Sequence, residues 1–216
     1  MLKLTKLAWD MTYKKKGKFF IKLQKDVPKI AKFFKKAGVK KILDLGCGSG
    51  RHLVYLAKQG FDMWGFDIAK HGIEIAKNWL EKEGLRAHLK IGDMHKRLPY
   101  KNDFFDAIIS IQTLNHGRIN DIRRTIKEMK RILKPIGLIF ITVSKLLPKR
   151  RIPKDRRYEV KFIAPRTYII LGGPEKGLIH YRFNKKILKK EFKDFKILDF
   201  WISPKRRYCL LGKIKK

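Results

Sequence analysis

The 216-residue chain has few acidic side chains and little cysteine. It contains 19 Asp and Glu against 54 Lys and Arg, and its two cysteines are Cys47 and Cys209. Neither cysteine has the CxxC or Cys/His neighbour typical of a zinc site, so we expect no metal and no disulfide framework. Sparse cysteine also fits a reducing compartment, and we expect a cytoplasmic protein.

Long hydrophobic runs are also missing. No apolar run approaches the roughly 18 residues that a membrane-spanning helix needs. The first residues, MLKLTKLAWDM, are interrupted by Lys and Asp before the apolar stretch of a signal peptide forms. We therefore expect neither a secretory signal nor a membrane partner, and the sequence leaves the oligomeric state open.

The glycine-rich turn in ILDLGCGSGR (residues 42–51) lacks the two common phosphate-binding motifs. A dinucleotide fingerprint needs a glycine where Arg51 stands, and a P-loop needs Gly-Lys-Ser/Thr. Asp44, two residues before the first glycine, would repel a pyrophosphate and suits a ligand that carries an ammonium group. S-adenosylmethionine (SAM) has an ammonium, a sulfonium and no phosphate, so the motif indicates SAM. The alternative is a purely structural turn between a strand and a helix.

Apolar runs alternate with helical patterns through the middle of the chain. The predicted strands are 39–45, 61–67, 86–93, 104–111 and 136–143, and the predicted helices between them are 50–59, 70–83 and 119–133. This alternation predicts a parallel sheet with right-handed crossovers. The flanking predictions are helices within 1–38, short strands at 158–163 and 167–171, a helix at 184–192, and a β-hairpin formed by 196–203 and 206–214.

These motifs together resemble class I SAM-dependent methyltransferases over nearly the whole chain. The resemblance rests on ILDLGCGSGR, GFDIA, IGDM, FDAIIS, the passage EMKRILKPIGLIFI with Ile136 in place of a glycine, and the entry segment Trp9-Asp10-x-x-Tyr13. It implies one α/β domain over 1–216, with a doubly wound seven-stranded sheet, mostly parallel and closed by a C-terminal antiparallel β-hairpin. Its parts would be basic N-terminal helices (1–38), a SAM-binding core (39–143), a basic substrate insertion (144–183) and a C-terminal helix with the hairpin (184–216).

The predicted cofactor residues follow the first four strands. We assign Asp44 to the methionine ammonium, Asp67 to the ribose hydroxyls, Ile68 to the adenine face, and Asp93 with the Met94 N–H to the adenine edge. The other predicted cofactor residues are Tyr13, Gly46, Cys47, Gly48, Gly50 and Ser110. For Asp67 and Asp93 the alternative is a helix N-cap or a turn residue.

The acceptor of the methyl group is expected at the tip of the fourth strand. Gln112 and Asn115 could draw on the hydrogens of an exocyclic amine, and His116 could act as a base because its unperturbed pKa lies near neutrality. The Asn/Asp-Pro-Pro-Tyr/Phe motif of exocyclic-amine methyltransferases is absent, and no cysteine near this tip supports attack at pyrimidine C5. The alternative for His116 is a capping or packing residue.

The net charge of +35 is concentrated before residue 42 and after residue 144. Because Glu is scarce, ion-pair networks cannot balance this charge, whereas a polyanion would. Phosphate contacts are predicted for Lys14, Lys15, Lys16, Lys18, Arg150, Arg151, Arg156 and Arg157. An anionic membrane surface and simple solvation are the alternatives for the charge.

The combined hypothesis is an RNA methyltransferase of the archaeal type, with SAM as cofactor and ribosomal or transfer RNA as partner. It would modify a base, for example at an exocyclic nitrogen such as cytidine N4. Two alternatives remain at this point: a small-molecule SAM-dependent methyltransferase, and a non-enzymatic RNA-binding protein with a vestigial methyltransferase fold.

Overall fold

The computed structural model describes residues 2–17, 21–145, 159–173 and 175–216. The helices are α1 Leu2–Lys16, α2 Val27–Lys36, α3 Arg51–Lys58, α4 Lys70–Lys82, α5 Ile119–Ile132 and α6 Lys185–Glu191. The strands are β1 Lys41–Leu45, β2 Asp62–Asp67, β3 His88–Ile91, β4 Phe105–Ile111, β5 Leu133–Ser144, β6 Val160–Ala164, β7 Thr167–Ile170, β8 Ile179–Tyr181, β9 Phe195–Ile202 and β10 Arg207–Ile214. Within these ranges, no helix is long and apolar enough to cross a bilayer.

Seven strands form one sheet in the order β3-β2-β1-β4-β5-β10-β9. The first five strands in this order pair in parallel, and β10 pairs antiparallel with both β5 and β9. One hydrophobic cluster packs α5 and α6 on one face of the sheet, and another packs α2, α3 and α4 on the other face. The predicted α/β fold, with a mostly parallel seven-stranded sheet and a C-terminal antiparallel hairpin, is confirmed.

The sheet topology places several of the predicted site residues at one edge. Strand β4 is buried along its length except at Asp106, as expected for a central strand covered on both faces. The winding direction changes between the neighbours β1 and β4, and ligands bind at such a switch point, beyond the carboxyl ends of the strands. Asp44 lies near that end of β1, Asp67 ends β2, and Gln112 directly follows β4.

A second sheet of three antiparallel strands, in the order β6-β7-β8, follows β5. The sequence predicted β6 and β7 but missed β8, because three residues are too few to show alternation. Two backbone hydrogen bonds attach β8 to the segment after β4: the Gly117 N–H donates to the Ile179 carbonyl, and the Tyr181 N–H donates to the Asn115 carbonyl. The second sheet therefore lies beside the predicted acceptor site.

The entry into β5 differs from the prediction, since the strand begins at Leu133 rather than at residue 136. Leu133 pairs with Phe105 and Leu138 pairs with Ala107, so four residues of β5 oppose a single residue of β4. Pro135 stands in this irregular segment and cannot donate a ladder hydrogen bond, which explains why regular pairing is interrupted there.

Ile136, in the same irregular segment, has a φ of 61° and is 63% exposed. A left-handed backbone is costly for a β-branched residue. We expect Ile136→Gly to stabilise the protein by about 1 kcal/mol, because relief of this strain exceeds the entropic cost of glycine. Thermal denaturation should show a Tm higher by about 2–4 °C. Ile136→Ala, which keeps a Cβ, should gain less, and a glycine variant no more stable than wild type would contradict the assignment of strain.

Candidate active site

A cavity of about 540 Å³ lies at the carboxyl edge of β1, β2 and β4. The glycine turn after β1 lines one part of it. Trp9 and Tyr13 of α1 line a second part, and Glu175 and Ile179, at the second sheet, line a third. A volume of this size falls in the range of small-molecule binding sites.

Helix α1 is fastened over the cavity by α4 and the glycine turn. The Asp10 carboxylate accepts a hydrogen bond of 2.8 Å from the His71 backbone N–H, and its second oxygen lies 2.9 Å from His71 Nδ1. The Tyr13 hydroxyl packs so closely on Gly48 that a Cβ there would overlap it. Burial raises the pKa of Tyr13 well above its ordinary value, so the hydroxyl stays protonated.

The glycines of the turn do not all face the cavity. Gly46 and Gly48 line it, together with Cys47, whose thiol is kept neutral because burial raises its pKa. Gly50 instead packs on α4, where an added Cβ would approach the Ala76 Cβ to 2.8 Å. Gly50 was predicted to let the ligand approach the backbone. In the structure it packs on α4 instead and does not line the cavity.

Asp67 lines the cavity and also organises the turn. One carboxylate oxygen accepts a hydrogen bond of 2.8 Å from the Gly48 N–H, and the other accepts one of 2.9 Å from the Ala69 N–H. Burial raises the pKa of Asp67, and these backbone hydrogen bonds oppose the shift. Asp67 thus binds backbone N–H groups in the way expected of a capping or turn residue, which was the alternative to a role in ligand binding. Each carboxylate oxygen still has a lone pair that can accept from a further donor.

Two other aspartates have buried oxygens without a hydrogen-bond partner among the described residues. Both oxygens of Asp44 are of this kind, and burial raises its pKa to about 7 although Arg51 opposes the shift. Asp93 lines the cavity: one oxygen accepts from the His95 N–H at 2.9 Å, and the other has no partner. Buried acceptors without donors are rare in proteins, so these oxygens point to a ligand rich in donors.

The remaining predicted residues divide between the cavity and the layer behind it. Ile68, Met94, Gln112 and His116 line the cavity. Three others are buried away from it: Asp44, Asn115 and Ser110, whose hydroxyl donates to the Leu45 carbonyl at 3.0 Å. The structure therefore brings most of the predicted cofactor residues to one cavity, and the sequence could not tell which side chains of a buried strand or turn line it.

Several lining residues were not predicted as site residues, among them Trp9, Arg51, His95, Lys96, Arg118, Arg124, Glu175 and Ile179. Trp9 belongs to the entry segment that was recognised, so its motif could have indicated it. Glu175 and Ile179 lie in a segment without a motif, and only the position of the second sheet brings them to the cavity. Among the described residues, no group of His, Cys, Asp and Glu is arranged to hold a metal ion.

The predicted RNA contacts are described only in part. Lys14 and Lys15 are exposed on α1, and Lys16 ends that helix. The other predicted contacts, Lys18, Arg150, Arg151, Arg156 and Arg157, lie outside the described residues. Phe162 and Tyr168, two described aromatic residues that follow those arginines in the sequence, pack on the Arg182 guanidinium at 4.5 and 4.7 Å.

Residues 42–137 match a family model described as a methyltransferase domain. The matched range contains the glycine turn, Asp67, Asp93 and His116. Over these residues the chain is similar to methyltransferase domains.

Known proteins that resemble the methyltransferase domain include two curated relatives. Methyltransferase GfsG of Streptomyces halstedii is 36% identical over 105 residues, which cover 47% of this chain and 36% of that protein. The ubiquinone biosynthesis O-methyltransferase of Pelagibacter ubique is 34% identical over 108 residues, covering 50% and 43%. The chain thus spans less than half the length of either relative.

A solved structure extends the likeness to the whole fold. The 1,6-didemethyltoxoflavin-N1-methyltransferase of Burkholderia thailandensis, solved with S-adenosylhomocysteine, superposes with a TM-score of 0.75 over 99% of this chain and 88% of that one. At 14% identity this comparison concerns the fold alone. The cavity fits SAM, because the adenine amino group is a donor of the kind that the unpartnered Asp93 oxygen lacks, and the buried Asp44 carboxyl behind the glycine turn suits the positive charge of the ammonium group.

Proposed function

We propose that the protein transfers the methyl group of SAM to a small organic molecule bound in this cavity. The observation that carries the proposal is the form of the cavity: it runs from the glycine turn to an end covered by α1 and by the second sheet. A relative that acts in ubiquinone biosynthesis and a structural neighbour that methylates a toxoflavin precursor support a small acceptor. These findings favour the small-molecule alternative over the RNA hypothesis drawn from charge.

In this proposal three aspartates hold the cofactor, which supplies a methyl group activated on a sulfonium. Asp67 accepts hydrogen bonds from the ribose hydroxyls with the lone pairs that the turn leaves free. The unpartnered oxygen of Asp93 accepts from the adenine amino group, beside Met94 and Ile68. Asp44, which does not line the cavity, provides negative charge behind the glycine turn and attracts the ammonium group from there.

The side chains after β4 would receive the acceptor. His116 and Gln112 line the cavity, and burial lowers the pKa of His116 well below its ordinary value, so the imidazole is neutral. A neutral imidazole can accept a hydrogen bond or a proton from the atom to be methylated. Holding acceptor and cofactor in one cavity supplies the alignment that a displacement reaction requires.

The test is methyl transfer from labelled SAM to two sets of acceptors in parallel, total RNA and a panel of phenols, amines, carboxylates and nitrogen heterocycles. We expect label in one or more small compounds and only background in RNA, with Asp67→Ala as the negative control. Label confined to RNA would contradict the proposal.

The net charge of +35 supports RNA methylation as a second candidate function. The described residues include exposed lysines on α1 and α2, among them Lys14, Lys15, Lys32 and Lys35. If several of these lysines neutralise phosphates, RNA affinity should fall steeply as salt rises. Filter binding between 50 and 200 mM salt measures this slope, and charge-reversal at Lys32 and Lys35 should reduce it. A flat response would remove RNA as a partner.

A further inference from the structure

Glu175 is an acid of the cavity wall that the assignment of the cofactor residues leaves unused. The acids among the described lining residues are Asp67, Asp93, Asp121 and Glu175. Asp67 and Asp93 are assigned to SAM, and Asp121 pairs with the Arg124 guanidinium. The carboxyl group of Glu175 therefore needs an explanation of its own.

The turn between β7 and β8 fixes the position of Glu175. The Gly177 N–H donates to the Ile170 carbonyl at 2.7 Å, and the Leu178 N–H donates to the Glu175 carbonyl at 3.0 Å. This turn places Glu175 at the end of the cavity beside the second sheet, here called the acceptor end. The acceptor end is formed by Trp9, His116, Glu175 and Ile179.

The two histidines at this end carry no charge that could balance a carboxylate. His180 Nε2 lies 3.4 Å from a Glu175 carboxylate oxygen, outside the geometry of a hydrogen bond, and burial lowers the pKa of His180 to about 4. The His116 ring, whose centroid lies 4.5 Å from that of His180, has its pKa lowered as well, mainly by burial. Both rings are therefore neutral near pH 7.

The basic side chains of the cavity do not balance Glu175 either. Lys96, Arg118 and Arg124 line the cavity, but burial raises the pKa of Glu175 and no positive charge among the described residues offsets this shift. The Glu175 side chain is 35% exposed, so a ligand can reach it. A partly buried carboxylate without a counter-charge is costly, and a cationic ligand would relieve that cost.

An aromatic ring lies at the same end of the cavity. Trp9 of α1 lines the cavity, and its ring meets the His116 ring edge-on with the centroids 5.1 Å apart. Ile179 adds apolar surface. An ammonium group is attracted to the face of an aromatic ring, and its hydrogens donate to a carboxylate. This combination of side chains suits an amine with an apolar body.

We propose that Glu175 selects acceptor molecules that carry a basic amine, by accepting hydrogen bonds from the ammonium group. The ammonium group anchors the molecule at the second sheet, and the apolar body packs against Trp9. The net charge of +35 repels a cation at a distance, but physiological salt screens exposed charges beyond about 8 Å, whereas Glu175 acts in contact. The inference rests on the proposed function for its substrate, while the preference for an amine is a binding property that needs no methyl transfer.

The first measurement is calorimetric binding of three matched probes to the full chain in the presence of S-adenosylhomocysteine. The probes are phenethylamine, phenethyl alcohol and hydrocinnamate, which share a phenyl group and differ mainly in charge. We expect the amine to bind at least about tenfold more tightly than the alcohol or the acid, because a hydrogen bond to a charged group changes affinity by about tenfold to a hundredfold. Phenethylamine that binds no more tightly than phenethyl alcohol would overturn the inference.

The variants assign the preference to one carboxyl group. Glu175→Gln keeps the shape of the side chain and should remove the preference for the amine, with the Tm and the affinity for S-adenosylhomocysteine unchanged. Glu175→Asp keeps the charge and should retain part of it. The matched control is Glu74→Gln on α4, where the exposed carboxylate pairs with Lys70 and does not line the cavity. A Glu175→Gln protein that still prefers the amine would refute the assignment.

The second measurement is methyl transfer from labelled SAM to small acceptors grouped by charge. We expect labelled products among the acceptors with a basic amine, and Glu175→Gln should raise the KM for such an acceptor about tenfold or more with the KM for SAM unchanged. Methylation confined to neutral or acidic small molecules would contradict this inference and leave the proposed function intact. Label confined to RNA would contradict the proposed function, and the affinities of the three probes would still decide the role of Glu175.

Discussion

Replacement of Asp67 by alanine is expected to weaken SAM binding at least a hundredfold. The carboxylate lines the cavity at the end of β2 and is the proposed acceptor for both ribose hydroxyls. Hydrogen bonds to a charged group contribute about 1.5–3 kcal/mol each, so losing two costs about 3–6 kcal/mol of binding free energy. Isothermal titration calorimetry with SAM measures this loss directly.

The same substitution should also lower the free energy of unfolding by about 2–6 kcal/mol. It leaves the backbone N–H groups of Gly48 and Ala69 without their carboxylate partner, and each such loss in a buried site costs about 1–3 kcal/mol. The matched control is Asp62→Ala at the opposite end of β2, where the exposed carboxylate lies 3.7 Å from His88 Nε2. Wild-type SAM affinity in a folded Asp67→Ala protein would contradict the assignment.

Replacement of Asp44 by asparagine is expected to stabilise the free protein and to weaken SAM binding. Asp44 is fully buried with no hydrogen-bond partner for either oxygen among the described residues, and its pKa is raised from 3.8 to about 7. A raised pKa in the folded state means that this residue favours folding below pH 4 and that the advantage is lost as pH rises through 7. The loss amounts to up to about 4 kcal/mol over that range, because one pKa unit corresponds to about 1.36 kcal/mol.

Chemical denaturation at pH 4 and pH 8 measures this effect as a difference between variants. Asp44→Asn should gain stability over wild type as pH rises, while its affinity for SAM should fall at least tenfold at pH 8. Asp106→Asn provides a control of opposite sign: the Lys134 ammonium and two backbone N–H groups lower the pKa of Asp106, so its removal should cost stability at pH 8. A stability difference between Asp44→Asn and wild type that does not change with pH would show that Asp44 is not an isolated buried acid.

The ionisation of Asp44 also gives SAM binding a proton signature. Below pH 7 the free protein holds this carboxyl protonated, whereas an ammonium group nearby favours the carboxylate. Binding at pH 6 should therefore release up to one proton, and calorimetry in buffers of different ionisation enthalpy would detect it. The Asp44→Asn protein should release none.

The core of this fold could be predicted from the sequence because its strands are continuous buried runs separated by helical periods. Strand β4, which is buried except at Asp106, illustrates this signal. Strand β8 could not be predicted in the same way, since its three residues become a strand only by pairing with β7. The early start of β5 was missed for a related reason. Leu133 pairs with Phe105, but four residues separate it from the next pair, which joins Leu138 to Ala107.

The candidate site was predictable where a motif fixes the backbone. Asp67 and Asp93 follow their strands directly and line the cavity as expected. The acceptor end was not predictable, because Glu175 and His180 reach His116 from a segment about sixty residues away that has no motif of its own. The charge of the chain suggested RNA, but charge alone does not describe the shape of a site, and the covered cavity favours a smaller acceptor.

The most direct test of SAM binding at this edge of the sheet is a crystal structure of the protein with S-adenosylhomocysteine. We expect both ribose hydroxyls within hydrogen-bonding distance of the Asp67 carboxylate, the adenine amino group at the free oxygen of Asp93, and the ammonium on the side of Asp44. An adenosyl group bound elsewhere, or one whose ribose makes no contact with Asp67, would contradict it.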